Sequence, residues 1–396
     1  MRLCTINILE KLSYRDLEIL NIIQKRGPIA KKHLQVLANI KLTTLNRVMK
    51  TLEDKKIIVV YGESESTGGR KSVEYDVSQT GFYVIGIDLS RTYVKLILTN
   101  MKLTILKKEE FLMDASYSSE KTVEKIIIII KQMLSGLYIE KNDVLGVGIG
   151  TVGPIDREKG IILSPKGFFN SNWINIPIKA MIEKSLNLPC FIDNGANTAV
   201  LGEFLYGKGK DLKSVAYIHC GIGLRSSIIR SGIIIRTMND REDAFGHMIV
   251  EHINGDVCSC GNSGCIESYS SIDSIIKKIN LKTKNNNNII SEINYIETLK
   301  VELQNNDIAI EVVNQGAKML GIGLSNLVRL LNPELVILSG PLIMNIEHYY
   351  EKSIEIFHSI NSMDNNVIFS KGGKFKEDVI ALGSAAMIME VYLKNI

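Results

Sequence analysis

A histidine and three cysteines within nineteen residues constrain this chain more than any other feature. The stretch GHMIVEHINGDVCSCGNSGCIES carries His247, Cys258, Cys260 and Cys265. One imidazole and three thiolates are the donor set of a closed, four-coordinate site, so a structural Zn2+ is expected, with no position left open for catalysis. Gly261 and Gly264 let the loop turn tightly enough to bring three sulfurs around one ion. His252 competes for the histidine role, and a surface-loop position is the preferred reading of it. Cys4, Cys190 and Cys220 are scattered. The opening residues are charged throughout and lack a small-residue cleavage site, so no signal peptide is read. A cytoplasmic chain keeps its thiols reduced, which favours metal over disulfides. The most apolar run, 126–130, is five residues between Lys125 and Lys131. A membrane span needs about 20, so no membrane partner is expected.

Charge is unevenly placed. Of 396 residues, the first 78 hold 14 Lys/Arg against 9 Asp/Glu, a net of +5, and the other 318 hold 33 against 34. A basic N-terminal fifth suits a small module facing a polyanion. Residues 15–26 place Leu17, Leu20 and Ile23 at helical spacing, and Gly27-Pro28 stops that run. Leu34 and Leu37 belong to a short second helix, and 39–41 form a tight turn. Thr43 can cap a third helix whose apolar face is Leu45, Val48, Met49 and Leu52. Residues 57–61 and 73–77 read as strands on either side of a polar turn. Three helices and a hairpin describe a winged helix-turn-helix over 1–78, mainly α with a β-wing. Its third helix offers Thr43, Thr44, Asn46, Arg47 and Lys50 to base edges and phosphates. Arg70 and Lys71 sit beside two glycines at the wing tip, where a thin basic loop can approach a groove. A double-stranded DNA operator is the expected partner. A protein dock of the same shape is the competing reading.

From Gly81 the texture is α/β. Residues 84–100 read as a hairpin, 121–139 as a helix, and VLGVGIGTVGPID as a buried strand running into a Gly/Pro loop. LPCFIDNGANTAVLGEF is strand, turn and helix, and SVAYIHCGIGLRSSIIRSGIII is a second hairpin. GIGLSNLVRLLNPELVILSGPLI is helix then strand, and DVIALGSAAMIMEVYL a final amphipathic helix. Strand-to-glycine loops with intervening helices suggest a nucleotide-fold architecture in two lobes.

GHxxxE…CxCGxxGCxE resembles the zinc motif of the ROK family (repressors, open reading frames, kinases). RGPIAKKHLQVLANIKLTTLNRVMKTLEDKKII followed by ESTGGRK resembles the winged helix of its regulator branch, the xylose- and N-acetylglucosamine-type repressors. GVGIGTVGPIDREKGIILSP, DNGANTAVLGE and LVRLLNPELVILSG resemble the kinase-like part, so the resemblance covers nearly the whole chain. It implies an actin-like (ribonuclease H-like) two-lobed ROK domain over 79–396. The small lobe would be 81–197 plus 380–396, and the large lobe 198–379 with the zinc loop 247–265. It also implies sugar in the cleft and a homodimer or homotetramer.

Measured against that resemblance, the phosphoryl-transfer parts are eroded. The family's first phosphate loop, Asp-Ile-Gly-Gly-Thr, is here Asp88-Leu89-Ser90-Arg91-Thr92. Its catalytic aspartate, in Asn-Asp-Ala-Asn, is replaced by Gly195, and Asp193 stands two positions earlier. The second phosphate loop keeps two of five glycines, in 219–225. Neither a base nor a phosphate cradle remains, so no ATP use and no enzyme activity are expected. Ala244 stands where the family has a sugar-binding Glu. Asn170, Asn194, His247 and Glu267 remain as candidate effector contacts. Glu267 serves either a sugar or the zinc loop, Asn194 either a sugar or a helix cap, and Trp173 either the cleft or the lobe core. The expected function is DNA-binding regulation, repression of carbohydrate-utilisation genes, with a small carbohydrate as effector. A sugar kinase with an appended DNA module and a ligand-independent regulator with a vestigial cleft are the alternatives.

Overall fold

The computed structural model describes residues 5–63, 72–165, 167–236, 244–283, 295–362 and 366–394. Contacts divide the chain into two units, Met1–Tyr206 with Ile380–Ile396, and Gly207–Val379.

Apolar periodicity builds the start of the first unit. A short helix, Thr5–Glu10, precedes Tyr14–Arg26. Ser13 and Asp16 form a capping box, each side chain accepting the other's backbone N–H. Leu17, Leu20 and Ile23 face inward, joined by the polar Gln24. Lys31–Ala38 ends where Asn39 adopts a left-handed conformation, and Leu42–Asp54 follows, burying Leu45, Val48, Met49 and Leu52. One detail corrects the sequence reading. Thr43 does not cap this helix. The backbone leaves the Asn39 turn extended and re-enters helix at Leu42, so Lys41 holds the cap position without a side-chain bond. Leu34 and Leu37 both belong to Lys31–Ala38 as expected, with Leu34 and Ala38 inward and Leu37 largely outward. Ile58–Glu63 pairs antiparallel with Val73–Val77, and Ile29–Ala30 adds a third strand that the sequence did not mark. Arg70 and Lys71 lie outside the described residues.

The remainder of this unit is a five-stranded sheet in the order Cys190–Asn194, Val144–Thr151, Tyr83–Leu89, Tyr93–Asn100, Ile105–Leu112. The last three form an antiparallel meander, and the first two join it in parallel. Ile85, Ile87, Val147 and Ile149 pack on the helices Ser119–Gly136 and Ile178–Leu186. Alternate residues, Gly86, Gly148 and Gly150, face the helix Val379–Lys394. That helix, expected to be amphipathic, is buried around most of its circumference. It lies between the sheet and Gly195–Tyr206 at backbone contact. A Cβ at Gly148 would collide with the Ser384 carbonyl, and one at Gly383 with that of Thr198. Gly195–Tyr206 runs unbroken past 197, so this unit closes at Tyr206.

The second unit repeats the connectivity. Ile233–Ile234, Leu224–Arg230 and Ser214–Cys220 are antiparallel neighbours, and Leu335–Ser339 and Ile368–Lys371 extend the sheet in parallel. The 25-residue helix Asp307–Leu331 packs Val313, Leu320 and Leu324 into a core with Tyr349 and Phe357. No helix among the described residues is long and apolar enough to cross a membrane.

Candidate functional site

The cysteine loop brings four donors together. The ligand atoms of His247, Cys258, Cys260 and Cys265 all lie within 4.8 Å of one another. His247 Nδ1 is 3.5 Å from Cys258 Sγ, and Cys260 Sγ is 3.7 Å from Cys265 Sγ. The edges of a zinc tetrahedron are about 3.5 Å from nitrogen to sulfur and about 3.8 Å between sulfurs, so the residues present fit the ion. His252 is exposed and outside the group. The loop is held by its own backbone. Cys258 N–H donates to Asn262 O, Gly261 N–H to Cys258 O, and Gly264 N–H to Asp256 O. Gly261 (φ 98°) and Gly264 (φ 79°) are left-handed, and a Cβ on Gly264 would collide with the Glu251 carbonyl. Gly264→Ala is therefore expected to cost about 3 kcal/mol, near the upper end of ordinary single-residue effects. A matched pair of thermal melts with elemental analysis checks this, and an unchanged melt would show that the loop tolerates side chains. Burial, reinforced by the neighbouring thiols, pushes the Cys265 thiol up to about 12. A cation that displaces those protons would relieve the cluster.

The kinase-like positions are occupied differently from a phosphate cradle. In the first unit Tyr93 Oη donates to the Asp88 carboxylate (2.8 Å), and the Arg91 side chain lies against Gly167. Asp193 Oδ1 accepts the Asn194 N–H (2.7 Å) and the Asn197 amide (2.8 Å), which ties that oxygen to the start of the helix Gly195–Tyr206. Gly195 opens that helix, and a Cβ there would meet Ile380 at 3.3 Å. In the second unit Leu224 and Arg225 begin a strand, with Arg225 opposite His219. The Leu224 N–H donates to the Glu267 carboxylate (2.8 Å).

The four candidate effector residues divide between the units. Asn170 and Asn194 belong to the first, His247 and Glu267 to the second. The amide of Asn170 is engaged, donating to Ala115 O and accepting the Asn172 N–H. Asn194 is different. Its side chain is fully buried, and Nδ2 has no hydrogen-bond partner among the described residues. A buried donor left unmade is costly, so its place calls for an acceptor. Trp173 is 2% exposed and stacks on Phe168 within the core of its unit, not along a cleft.

On the helix Leu42–Asp54, Thr43, Asn46, Arg47 and Lys50 are exposed and Thr44 half-buried. Sequence reasoning missed how residues 5–77 are held to the rest of the first unit. Gln24, 1% exposed, donates to Met101 O (2.7 Å) and accepts from Tyr206 Oη (2.9 Å). Lys25 pairs with Glu390 at 2.6 Å, and Lys102 reaches Gly27 O and Asp76. Burial lowers the Lys25 ammonium pKa while Glu390 opposes that, and burial pushes the Tyr206 phenol well up. One sequence signal was available. Gln24 stands seven residues after Leu17, on the apolar stripe, where a polar side chain needs a partner.

Two α/β units of one connectivity, each with a three-stranded meander and two parallel strands, carry a sugar-kinase-like fold behind a helical N-terminal segment. The chain belongs to the ROK family, whose model matches residues 84–390. It is 27% identical over 386 residues to the xylose repressor of Bacillus subtilis, covering 96% of this chain and 95% of that one. The glucokinase of Halalkalibacterium halodurans is 28% identical over 266 residues, 65% of this chain and 80% of the relative. A crystal structure of a ROK family transcriptional regulator, described as a homologue of the Escherichia coli MLC protein, superposes with a TM-score of 0.78. It is 19% identical and covers 96% of each chain.

Proposed function

We propose that the protein is a sugar-responsive transcriptional repressor whose kinase-like domain senses a carbohydrate without phosphorylating it. The exposed polar and basic face of Leu42–Asp54, set over a fully apolar buried face, is the observation that carries this reading. Helix, tight turn, helix and hairpin are the parts of a winged helix-turn-helix, and Thr43, Asn46, Arg47 and Lys50 are where its second helix would read a major groove. Thr44 lies beside them, and Arg70 and Lys71 are assigned to the wing on sequence alone. A symmetric oligomer would present two such helices to a palindromic operator. The His247, Cys258, Cys260 and Cys265 cluster would hold one structural zinc, which supplies cross-linking and no chemistry.

The unmet Asn194 amide supports a ligand rich in hydroxyl oxygens, and xylose is the first sugar to try because full-length relatives are named xylose repressors. Glu267 accepts the Leu224 N–H, which engages its carboxylate at the strand Leu224–Arg230. Xylose is expected to release the protein from the DNA flanking its own gene, with ATP having no effect. A panel of sugars and sugar phosphates against the same complex tests this. DNA binding that ignores every sugar would leave a regulator with a vestigial cleft.

Three observations support the absence of turnover. Gly195 replaces the base, Asp193 is engaged, and Leu224 and Arg225 stand where phosphate-binding glycines would be. A coupled ADP assay with the sugar panel is expected to stay at the buffer rate. Because Ile380 crowds the Gly195 position and both loops remain altered, Gly195→Asp alone is expected to stay there too. Turnover that vanishes in Asp193→Asn would restore the kinase reading.

A further inference from the structure

We propose that Gln24, Lys25, Tyr206 and Glu390 are positioning residues that make the DNA-binding segment respond to the effector. They would do so by clamping it to the far ends of two helices that begin beside Asn194. The inference rests on the regulator reading above and adds the route by which that site acts.

The two helices, Gly195–Tyr206 and Val379–Lys394, run side by side. Their first turns meet where Gly195 faces Ile380, and their backbones touch where Gly383 faces Thr198. Nine of the twelve residues of Gly195–Tyr206 are buried, so it has little room to bend. It spans about 18 Å. At one end sits Asn194, with its unmet amide. At the other, Tyr206 Oη donates to Gln24 Oε1 at 2.9 Å, and the Gln24 amide nitrogen donates onward to Met101 O at 2.7 Å. The partner helix carries Glu390 one turn before its end, and that carboxylate takes Lys25 at 2.6 Å and Lys394 at 2.5 Å. Two of the junction's contacts therefore hang from one helix pair, while Met101 and Lys102 hold the segment from the turn that follows Tyr93–Asn100.

The chemistry of the contact is what distinguishes a coupling element from a passive seam. Apolar side chains slide over one another at little cost, whereas hydrogen bonds fail once donor and acceptor shift by about 1 Å. A buried amide with both ends engaged, next to a buried ion pair, accepts one orientation of the Tyr14–Arg26 helix and rejects its neighbours. A sugar that draws on Asn194 acts on the start of the pair, and a rigid helix carries the displacement to Tyr206. Coupling free energy resides in contacts that differ between the two states, and on the path from Asn194 the Tyr206–Gln24 and Glu390–Lys25 contacts are the ones that would differ.

Tyr206→Phe keeps the ring and removes the donor, and Glu390→Gln keeps the shape and removes the charge. Operator affinity is measured with and without xylose for the full-length wild type and both variants. Sugar-induced thermal shifts of the same proteins check that they are folded and that the sugar still binds. In the variants, affinity without sugar is expected to stay within about 3-fold of wild type, while the xylose-induced loss of affinity shrinks at least 5-fold. Variants that bind the sugar and release DNA as fully as the wild type would overturn the clamp alone. A wild type that no sugar releases would overturn both the clamp and the effector reading. If Tyr206→Phe does not fold, Glu390→Gln decides the same question.

Discussion

Cys260→Ser is expected to strip the loop of its metal, lowering zinc from about one atom per chain to near zero and the melting temperature by about 10 °C. Cys260 is the exposed member of the cluster, while Cys258 and Cys265 are buried. A serine there changes no core packing, so any loss reports the metal and not a cavity. Beyond its backbone hydrogen bonds the loop has little apolar burial to hold it. Ile249, Ile253 and Val257 are half to four-fifths exposed, and its cross-strand pairing consists of the isolated bridges Ile249–Cys265 and Val257–Ser263. A metal cross-link among His247, Cys258, Cys260 and Cys265 would supply what apolar burial does not. Elemental analysis with thermal melts of chelator-free, reduced protein measures both quantities. Wild-type protein that carries no metal, and melts where Cys260→Ser melts, would refute the zinc assignment.

Arg47→Ala is expected to weaken operator binding roughly 5- to 150-fold, the range of about 1–3 kcal/mol for a guanidinium that reads a base edge. The protein itself should remain as stable as wild type. Arg47 is exposed, and the inward positions of its helix belong to Leu45, Val48, Met49 and Leu52. Lys50→Ala gives the contrasting pattern if it meets phosphate. Binding should then weaken about equally on operator and on unrelated DNA, with a shallower salt dependence. Competition titrations on both duplexes separate the two. An Arg47→Ala protein with wild-type affinity would remove this helix from the DNA-reading role.

What could be read from the sequence follows the range of the interactions. The grouping of the four donors was legible because they fall within nineteen residues and the loop's glycines have a local task. The three principal N-terminal helices and the hairpin strands were legible as periodicity. What escaped depended on partners distant in sequence. Ile29–Ala30 is too short to show a period and becomes a strand only beside Val73–Val77. Ile105–Leu112 is an edge strand whose exposed Lys and Glu side chains blur the alternation. Val379–Lys394 read as amphipathic because nothing local reveals the second helix that covers its other side. Gln24 and Tyr206 are 182 residues apart, and only the fold makes them neighbours. The effector residues split the same way. Of the two readings open for Trp173, the core is the one it fills, and the Asn170 amide ties its loop to Ala115, a partner distant in sequence.

DNA binding by the whole chain is the property on which the regulator reading stands. Fluorescence anisotropy would compare a duplex from the region beside the protein's own gene with a scrambled duplex of equal length, at two salt concentrations. Binding to the native duplex at least about 10³-fold tighter than to the scrambled one, falling steeply with salt, is the expected result. Equal and weak binding to both duplexes, or none, would contradict it and make the N-terminal segment a docking module for another protein.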